Sequence, residues 1–400
     1  MLHLALVEPE MDIRNKQALS IFVGGACVIF AMIGLSLAVS PPEAPAEPAP
    51  AEDATTYQPT RIIDVHEHIK ALKNAPTLLA AMDDVRIEKT LLMGSSIFTL
   101  TLNEDLGFTR YDENNEELLR ISQQYPGRFE AWPTMDARDP HKLEKFKDYV
   151  KRGATGLKLY LGHGLITRKT GQYMFHPAAM DDPGMLPVYA YCAENFIPIC
   201  LHVNPSPKTT PGFAEEFVAV LEQFPDLKLV CPHFMLSSIA DNRLRELLQT
   251  FPNLYTDISF GNDKFLIDGL KRISRSPKKF RDIFAKYPSR FMFGADLVVT
   301  DEAVKTRKWI RGRFQAYIDM LTKEKYTTPV IPGEELNGCR LPPQIADRIL
   351  YQNYLDFAAS KPTGTVLKKK VDWGRMGFEP VTRKPGEAAK PVKKSGSSGQ

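Results

Sequence analysis

Residues 62–69 read Ile-Ile-Asp-Val-His-Glu-His-Ile, and two histidines one residue apart in an apolar, β-branched stretch set the reading of the whole chain. So short a run between polar clusters suits a strand rather than a helix. Side chains alternate along a strand, so His66 and His68 share a face, with Asp64 beside them and Glu67 on the other side. Two imidazoles on one face make a chelating clamp for a divalent transition metal.

Seven more short runs follow it. They are Lys89–Gly94, Phe129–Asp136, Ala154–Leu161, Ile197–Asn204, Lys228–Phe234, Asn253–Ser259 and Arg290–Asp296. The segments between them suit amphipathic helices, as at Glu116–Gln124, His141–Lys151, Leu186–Asn195, Gly212–Gln223 and Asp241–Thr250. A last helix is expected over Pro343–Ala358. Strand–helix alternation implies a parallel sheet with right-handed crossovers. Eight repeats without a GxGxxG turn point to a closed, distorted (β/α)8 TIM barrel over residues 59–360, rather than an open doubly wound sheet.

In such a barrel the C-terminal strand ends converge, and active sites form there. His202 ends the fifth predicted strand, His233 the sixth and Asp296 the eighth. With His66 and His68 they make one constellation from residues far apart in the chain. His66, His68, His202 and Asp296 offer three nitrogens and one carboxylate oxygen, which leaves room for water as a catalytic site requires. His233 and Asp296 are the candidate catalytic groups, because imidazole titrates in the range suited to proton transfer. A His-x-His pair alone is weak evidence. A stack of purely structural histidines would need every buried polar atom satisfied, so the combined set points to metal. Tyr160 and Asn204, just past strands four and five, are candidate pocket residues.

The remaining composition is ordinary for a globular chain: 400 residues, 43% hydrophobic and 25% charged. Charge is unevenly placed. Residues 1–54 carry seven acidic against two basic side chains, and residues 361–400 carry ten basic against three acidic. The central domain is therefore nearly neutral, which argues against a nucleic-acid partner. The five cysteines form no CxxC, and Cys200 and Cys231 lie in apolar runs that suit buried thiols.

Ala18–Val39 is a 22-residue run without charge, long enough to cross a bilayer. Arg14 and Lys16 precede it and acidic residues follow. The positive-inside rule then leaves residues 1–17 in the cytoplasm and the barrel on the periplasmic side of the inner membrane. Secretion after signal cleavage is the alternative. Residues 40–58 are Pro-, Ala- and Glu-rich and read as a stiff linker. Residues 361–400 read as a basic disordered tail.

The stretches IIDVHEHI at 62–69, GATGLKLYLG at 153–162, PICLHVN at 198–204, FPDLKLVCPHF at 224–234, NLYTDIS at 253–259, RFMFGAD at 290–296 and RILYQNYLDF at 348–357 span most of the central domain. Through them residues 61–357 resemble the amidohydrolase-related family (amidohydrolase 2), which includes aminocarboxymuconate-semialdehyde decarboxylase, resorcylate decarboxylase and lactone hydrolases. The resemblance implies one catalytic metal, usually Zn2+ and sometimes Mn2+, with His66, His68, His202 and Asp296 as ligands or metal neighbours and His233 as the catalytic histidine. It also implies a small-molecule substrate and a homodimer. Two features depart from the pattern. Ala295 stands where the family often has a hydroxyl residue, and Leu297–Glu335 matches nothing assignable.

Lys158 ends the fourth predicted strand on the face of Tyr160. Three roles are open to it: a carboxylated lysine bridging two metals, an ammonium holding a substrate carboxylate, or a structural lysine paired with Asp64 or Asp257. Three functions follow for the chain. Metal-dependent hydrolysis of an ester, lactone or amide leads, because no arginine lies at a strand end. Non-oxidative decarboxylation on the same site is the alternative, and Arg168 keeps it open. A tethered, non-catalytic barrel would be expected to lack a ligand, and none is missing.

Overall fold

The computed structural model describes residues 57–101, 103, 107–161, 178–203, 213–235 and 241–378. The predicted anchor 18–39, Asn204 and Arg168 lie outside these residues. Among the described residues, no helix is long and apolar enough to cross a membrane.

Eight parallel strands form the centre: β1 (Ile62–Ile69), β2 (Ile87–Met93), β3 (Phe129–Trp132), β4 (Leu157–Leu159), β5 (Ile199–Leu201), β6 (Leu229–Val230), β7 (Leu254–Asp257) and β8 (Phe291–Met292). A short β9 (Leu297–Val299) continues the line of β8 and pairs with β1. The ladders run β3-β2-β1-β9 and β4-β5-β6-β7-β8. Two seams join them into a ring. At one, Thr134 bridges Lys158 and the Lys158 N–H donates to Pro133 O at 2.9 Å. At the other, the Val65 N–H donates to Phe293 O at 2.9 Å and the Asp296 N–H to His66 O at 2.7 Å. The expected TIM-barrel layout is therefore present, with its eighth strand broken where Asp296 takes a left-handed conformation (φ 52°).

Two apolar layers hold the ring. Inside, Ile63, Val65, Met93, Trp132, Cys200, Val230 and Met292 pack on Tyr354 and Phe357 from the closing helix. Outside, Leu92, Ala131, Leu157, Leu159, Ile199, Leu201, Leu229 and Phe291 meet the helical shell. Each strand thus contributes one side chain inward and the next outward, which is why its sequence is apolar almost throughout. Gly156 is required by this packing, since a Cβ there would stand 2.3 Å from the Trp132 indole.

Leu297–Glu335, unassigned by resemblance, holds β9, a helix at Arg307–Thr322 and most of an antiparallel hairpin of β10 (Lys325–Thr328) and β11 (Ile331–Asn337). The expected last helix, Pro343–Ala358, is interrupted by a π-helical turn at Arg348–Gln352.

One expectation needs correction. The tail does not begin at residue 361: Val371, Met376 and Phe378 are buried against the outer shell. The segment runs along the helix at Asp241–Thr250. Lys369 pairs with Glu246 at 2.6 Å, the Arg243 guanidinium stacks on Phe378, and Asn253 donates to Thr365 Oγ1. Its lysines read as a solvated tail because local composition does not show that Glu246, distant in sequence, awaits them. Residues 379–400 lie outside the described part.

Asn353 ties the closing helix to β8. Its buried amide donates to Pro288 O and Phe291 O, each at 2.7 Å. Asn353→Ala leaves both carbonyls without that donor, at about 1–3 kcal/mol each. The variant should therefore unfold at clearly lower urea concentration by circular dichroism; an unchanged midpoint would remove this role.

Candidate metal centre

The site is built at the C-terminal end of β1. His66 and His68 both face the barrel mouth, but their relation to Asp64 differs from strict alternation. The register against β2 is irregular between Asp64 and Glu67. Ile63 and Val65 face the interior with Met93, and the slip lets His66 and His68 face it as well. Asp64 and Glu67 are left together on the opposite face. The expectation that Asp64 shares the histidine face is thus corrected. Burial raises the Asp64 carboxyl to about 8 and pushes Glu67 well above its usual range, with Asp64 as the second cause for Glu67. Burial thus favours the protonated form of both acids.

Each imidazole is oriented by its Nδ1. His66 Nδ1–H donates to Asp257 Oδ2 at 2.7 Å. His68 Nδ1–H donates to Met93 O at 2.9 Å and lies 2.7 Å from Ser95 Oγ. Ser95 in turn meets the Tyr160 hydroxyl at 2.7 Å, and Tyr160 donates to Gly94 O at 3.1 Å. With both Nδ1 atoms acting as donors, both Nε2 lone pairs face the mouth. There they meet Asp296 Oδ1, at 3.3 Å from His66 Nε2 and 3.2 Å from His68 Nε2. The ligand atoms of His66, His68 and Asp296 all lie within 4.8 Å of one another, which suits a divalent cation.

Burial opposes ionisation of Asp296, but His66, His68 and His233 around it hold its carboxyl far below the usual range. Asp257 behaves likewise, with burial outweighed by His66. Burial first, and the Lys158 ammonium second, lower His66 to about 4. The ring therefore stays neutral and able to bind metal well below neutral pH.

His233 sits on a left-handed turn, with φ of 60°, 54° and 53° at His233, Phe234 and Met235. Such a run is strained for residues with side chains, and it is held by Asp257 and Thr256. The His233 N–H donates to Asp257 Oδ1 at 3.0 Å, and the Met235 N–H to Thr256 Oγ1 at 3.0 Å. His233 Nδ1 lies 2.9 Å from Ser259 Oγ, whose hydroxyl donates to Asp257 Oδ1 at 2.6 Å. This turns Nε2 toward Asp296 Oδ2 at 3.6 Å. Gly294 packs closely nearby: a Cβ there would sit 3.1 Å from both Asp257 Cβ and His66 Cβ, a contact that only a shift of a few tenths of an ångström would relieve.

His202 does not join the converging three. Its ring lies 4.9 Å from that of His233 and 6.2 Å from that of Tyr160, centroid to centroid. Lys158 reaches His66 Nε2 at 3.0 Å and Cys200 Sγ at 3.4 Å, not Asp64 or Asp257, so its reading as a lysine paired with either acid is withdrawn. The residues that sequence reasoning undervalued are Asp257, Ser95 and Ser259. Asp257 ends the seventh strand, and that position was its one available signal.

A family model described as Amidohydrolase matches residues 63–353. No curated protein matches the chain. Among solved structures, the chain is similar to an uncharacterized TIM-barrel protein from Bordetella bronchiseptica, with 16% identity, TM-score 0.47, and coverage of 75% of this chain and 100% of that one. It is also similar to 2,6-dihydroxybenzoate decarboxylase from Rhizobium, with 14% identity, TM-score 0.43, and coverage of 76% and 99%. A third is 5-carboxyvanillate decarboxylase from Sphingomonas paucimobilis, with 14% identity, TM-score 0.45, and coverage of 75% and 99%.

Two outcomes are expected here. Asp257→Asn should weaken divalent-metal affinity by about 10–100-fold in a chelator competition, since it loosens the His66 ring; unchanged affinity would refute that role. Glu67→Gln acts through pH. The Asp64 carboxyl is held neutral to about 8, against about 4 unfolded, so its contribution to stability is complete at acid pH and is lost as pH rises through 8. Removing the neighbouring acid should raise the melting temperature of metal-free protein more at about pH 8.5 than at about pH 5. An equal shift at both would show that neither acid is held protonated by its burial.

Proposed function

The chain belongs to the amidohydrolase family, and from that premise we propose that it hydrolyses an ester, lactone or amide of a small molecule with the help of one divalent metal. The observation that supports this reading most is the convergence of His66 Nε2, His68 Nε2 and Asp296 Oδ1 at the barrel mouth. The donor set fits the cation: both Nδ1 atoms are already committed, and the carboxyl is held ionised. Zn2+ suits two imidazoles and a carboxylate, with Mn2+ as the alternative. His202 is the proposed fourth ligand. A cation held there would polarise a carbonyl oxygen and make water nucleophilic near neutral pH.

The protein's own groups do the rest. His233, fixed through Nδ1 by Ser259, presents Nε2 to take a proton from water and return it to the leaving group. Asp296 Oδ2, 3.6 Å away, stabilises the imidazolium that forms. Asp257 keeps His66 and the His233 backbone in register. Tyr160, Phe108 and Phe98 make an aromatic wall that excludes water from one side.

Non-oxidative decarboxylation is a second reading, favoured by the buried Lys158 ammonium, which suits a substrate carboxylate. Carbon dioxide would leave, and a proton from His233 would replace it on carbon. The uncharged run Ala18–Val39 supports a membrane anchor with the domain on the periplasmic side.

The test uses purified full-length protein. His66→Ala and Asp296→Ala should lose stoichiometric metal by elemental analysis. His233→Asn should keep the metal and lose about 10²–10⁴-fold in kcat. A screen of lactones, esters and aromatic carboxylic acids, with CO2 release monitored, separates the two reactions. Wild-type protein without stoichiometric metal, or full turnover by His233→Asn, defeats the proposal.

A further inference from the structure

We propose that Lys158 is an anion-recognition residue, and that the substrate class is a small carboxylate, present as substrate or released as product, seated between its ammonium and the cation site. The side chain is fully buried inside the barrel. Its Nζ lies 3.0 Å from His66 Nε2 and 3.4 Å from Cys200 Sγ, and 5.1 Å from the centroid of the Tyr160 ring. All three neighbours are uncharged. Among the described residues, no carboxylate lies within 4.0 Å of that nitrogen. Asp296 Oδ1, 3.3 Å from the same His66 Nε2, is the carboxylate nearest through that ring, but it makes no direct ion pair with the ammonium, and a buried ammonium without a direct ion pair is uncommon because desolvating a charge is costly.

The position of the ammonium specifies what would face it. His66 Nε2 is the lone pair that the cation requires, and Lys158 leans on the same atom. A cation held there would bring a second positive centre beside the ammonium, with Asp296 as the one carboxylate already at that nitrogen. An anion with two oxygens relieves the repulsion, one oxygen serving the cation and the other the ammonium. Water or a neutral carbonyl relieves it far less. The Tyr160 ring and Phe108 behind it, 5.8 Å apart, give such an anion an apolar, flat-faced wall to lie against. In hydrolysis the bound anion is the carboxylate product. In decarboxylation it is the substrate before the carbon–carbon bond breaks.

The cation-sharing half of this inference rests on the proposed metal function; the ammonium half does not, and the experiment separates them. Full-length wild type and Lys158→Met are stripped of metal, and binding of benzoate and acetate is measured by calorimetry against the neutral benzamide and acetamide. Wild type should prefer each carboxylate over its amide by roughly tenfold or more, and Lys158→Met should lose the preference. Reloading with Zn2+ should strengthen carboxylate binding in wild type. The amide comparison needs no variant, so it stands even if Lys158→Met does not fold. Equal affinity for amide and carboxylate in wild type overturns the proposal, as does a preference that survives in folded Lys158→Met. So does a carbamate on Lys158, detected by carbon-13 spectroscopy with labelled bicarbonate, since the residue would then be an anion. A protein that keeps the preference but takes up no metal retains the anion site and loses only the proposed function.

Discussion

The Asp257 carboxylate is the constraint on which the rest of the site depends. One oxygen receives the His66 Nδ1 proton at 2.7 Å. The other receives the His233 N–H at 3.0 Å, the Ser259 N–H at 3.0 Å and the Ser259 hydroxyl at 2.6 Å. A single buried anion therefore sets the tautomer of one proposed ligand and the backbone of the proposed proton carrier. It also anchors the serine that aims that carrier. Burial alone would make such a carboxyl neutral; the His66 ring facing it, its hydrogen bond, and then His233 and the Ser259 hydroxyl keep it charged, and the charge keeps the donors in place.

Around that anchor the barrel makes two concessions. β1 slips its alternation between Asp64 and Glu67, and the eighth strand breaks at Asp296. Both occur at the same seam, where the Asp296 N–H reaches His66 O at 2.7 Å. The slip brings His66 and His68 inward behind Ile63 and Val65. The break turns the Asp296 side chain across the barrel mouth. Regular strands would pass these residues by, so the irregularities coincide with the chemistry.

Much of this was legible in the chain. Apolar runs at regular spacing gave the strands, and strand ends gave His66, His68 and Asp296, because a closed parallel barrel leaves one place for such residues to meet. Asp257 was harder. It looked like a spare acid for Lys158, and only the fold shows that it faces imidazoles. Lys158 looked pairable, and only the fold shows that among the described residues no acid forms a direct ion pair with it. The segment 361–378 looked like a solvated tail, because its buried contacts are with residues more than a hundred positions away.

The barrel and the residue types at its mouth could be read from the chain, since they follow from periodicity and from side-chain chemistry at strand ends, and the family could be read from the resemblance of its motifs. Which donors converge, which face Asp64 takes, and what stands beside Lys158 emerge only once the chain is folded. Those depend on register slips and a left-handed turn, which shift atoms by a few ångströms and leave no periodic trace in the chain.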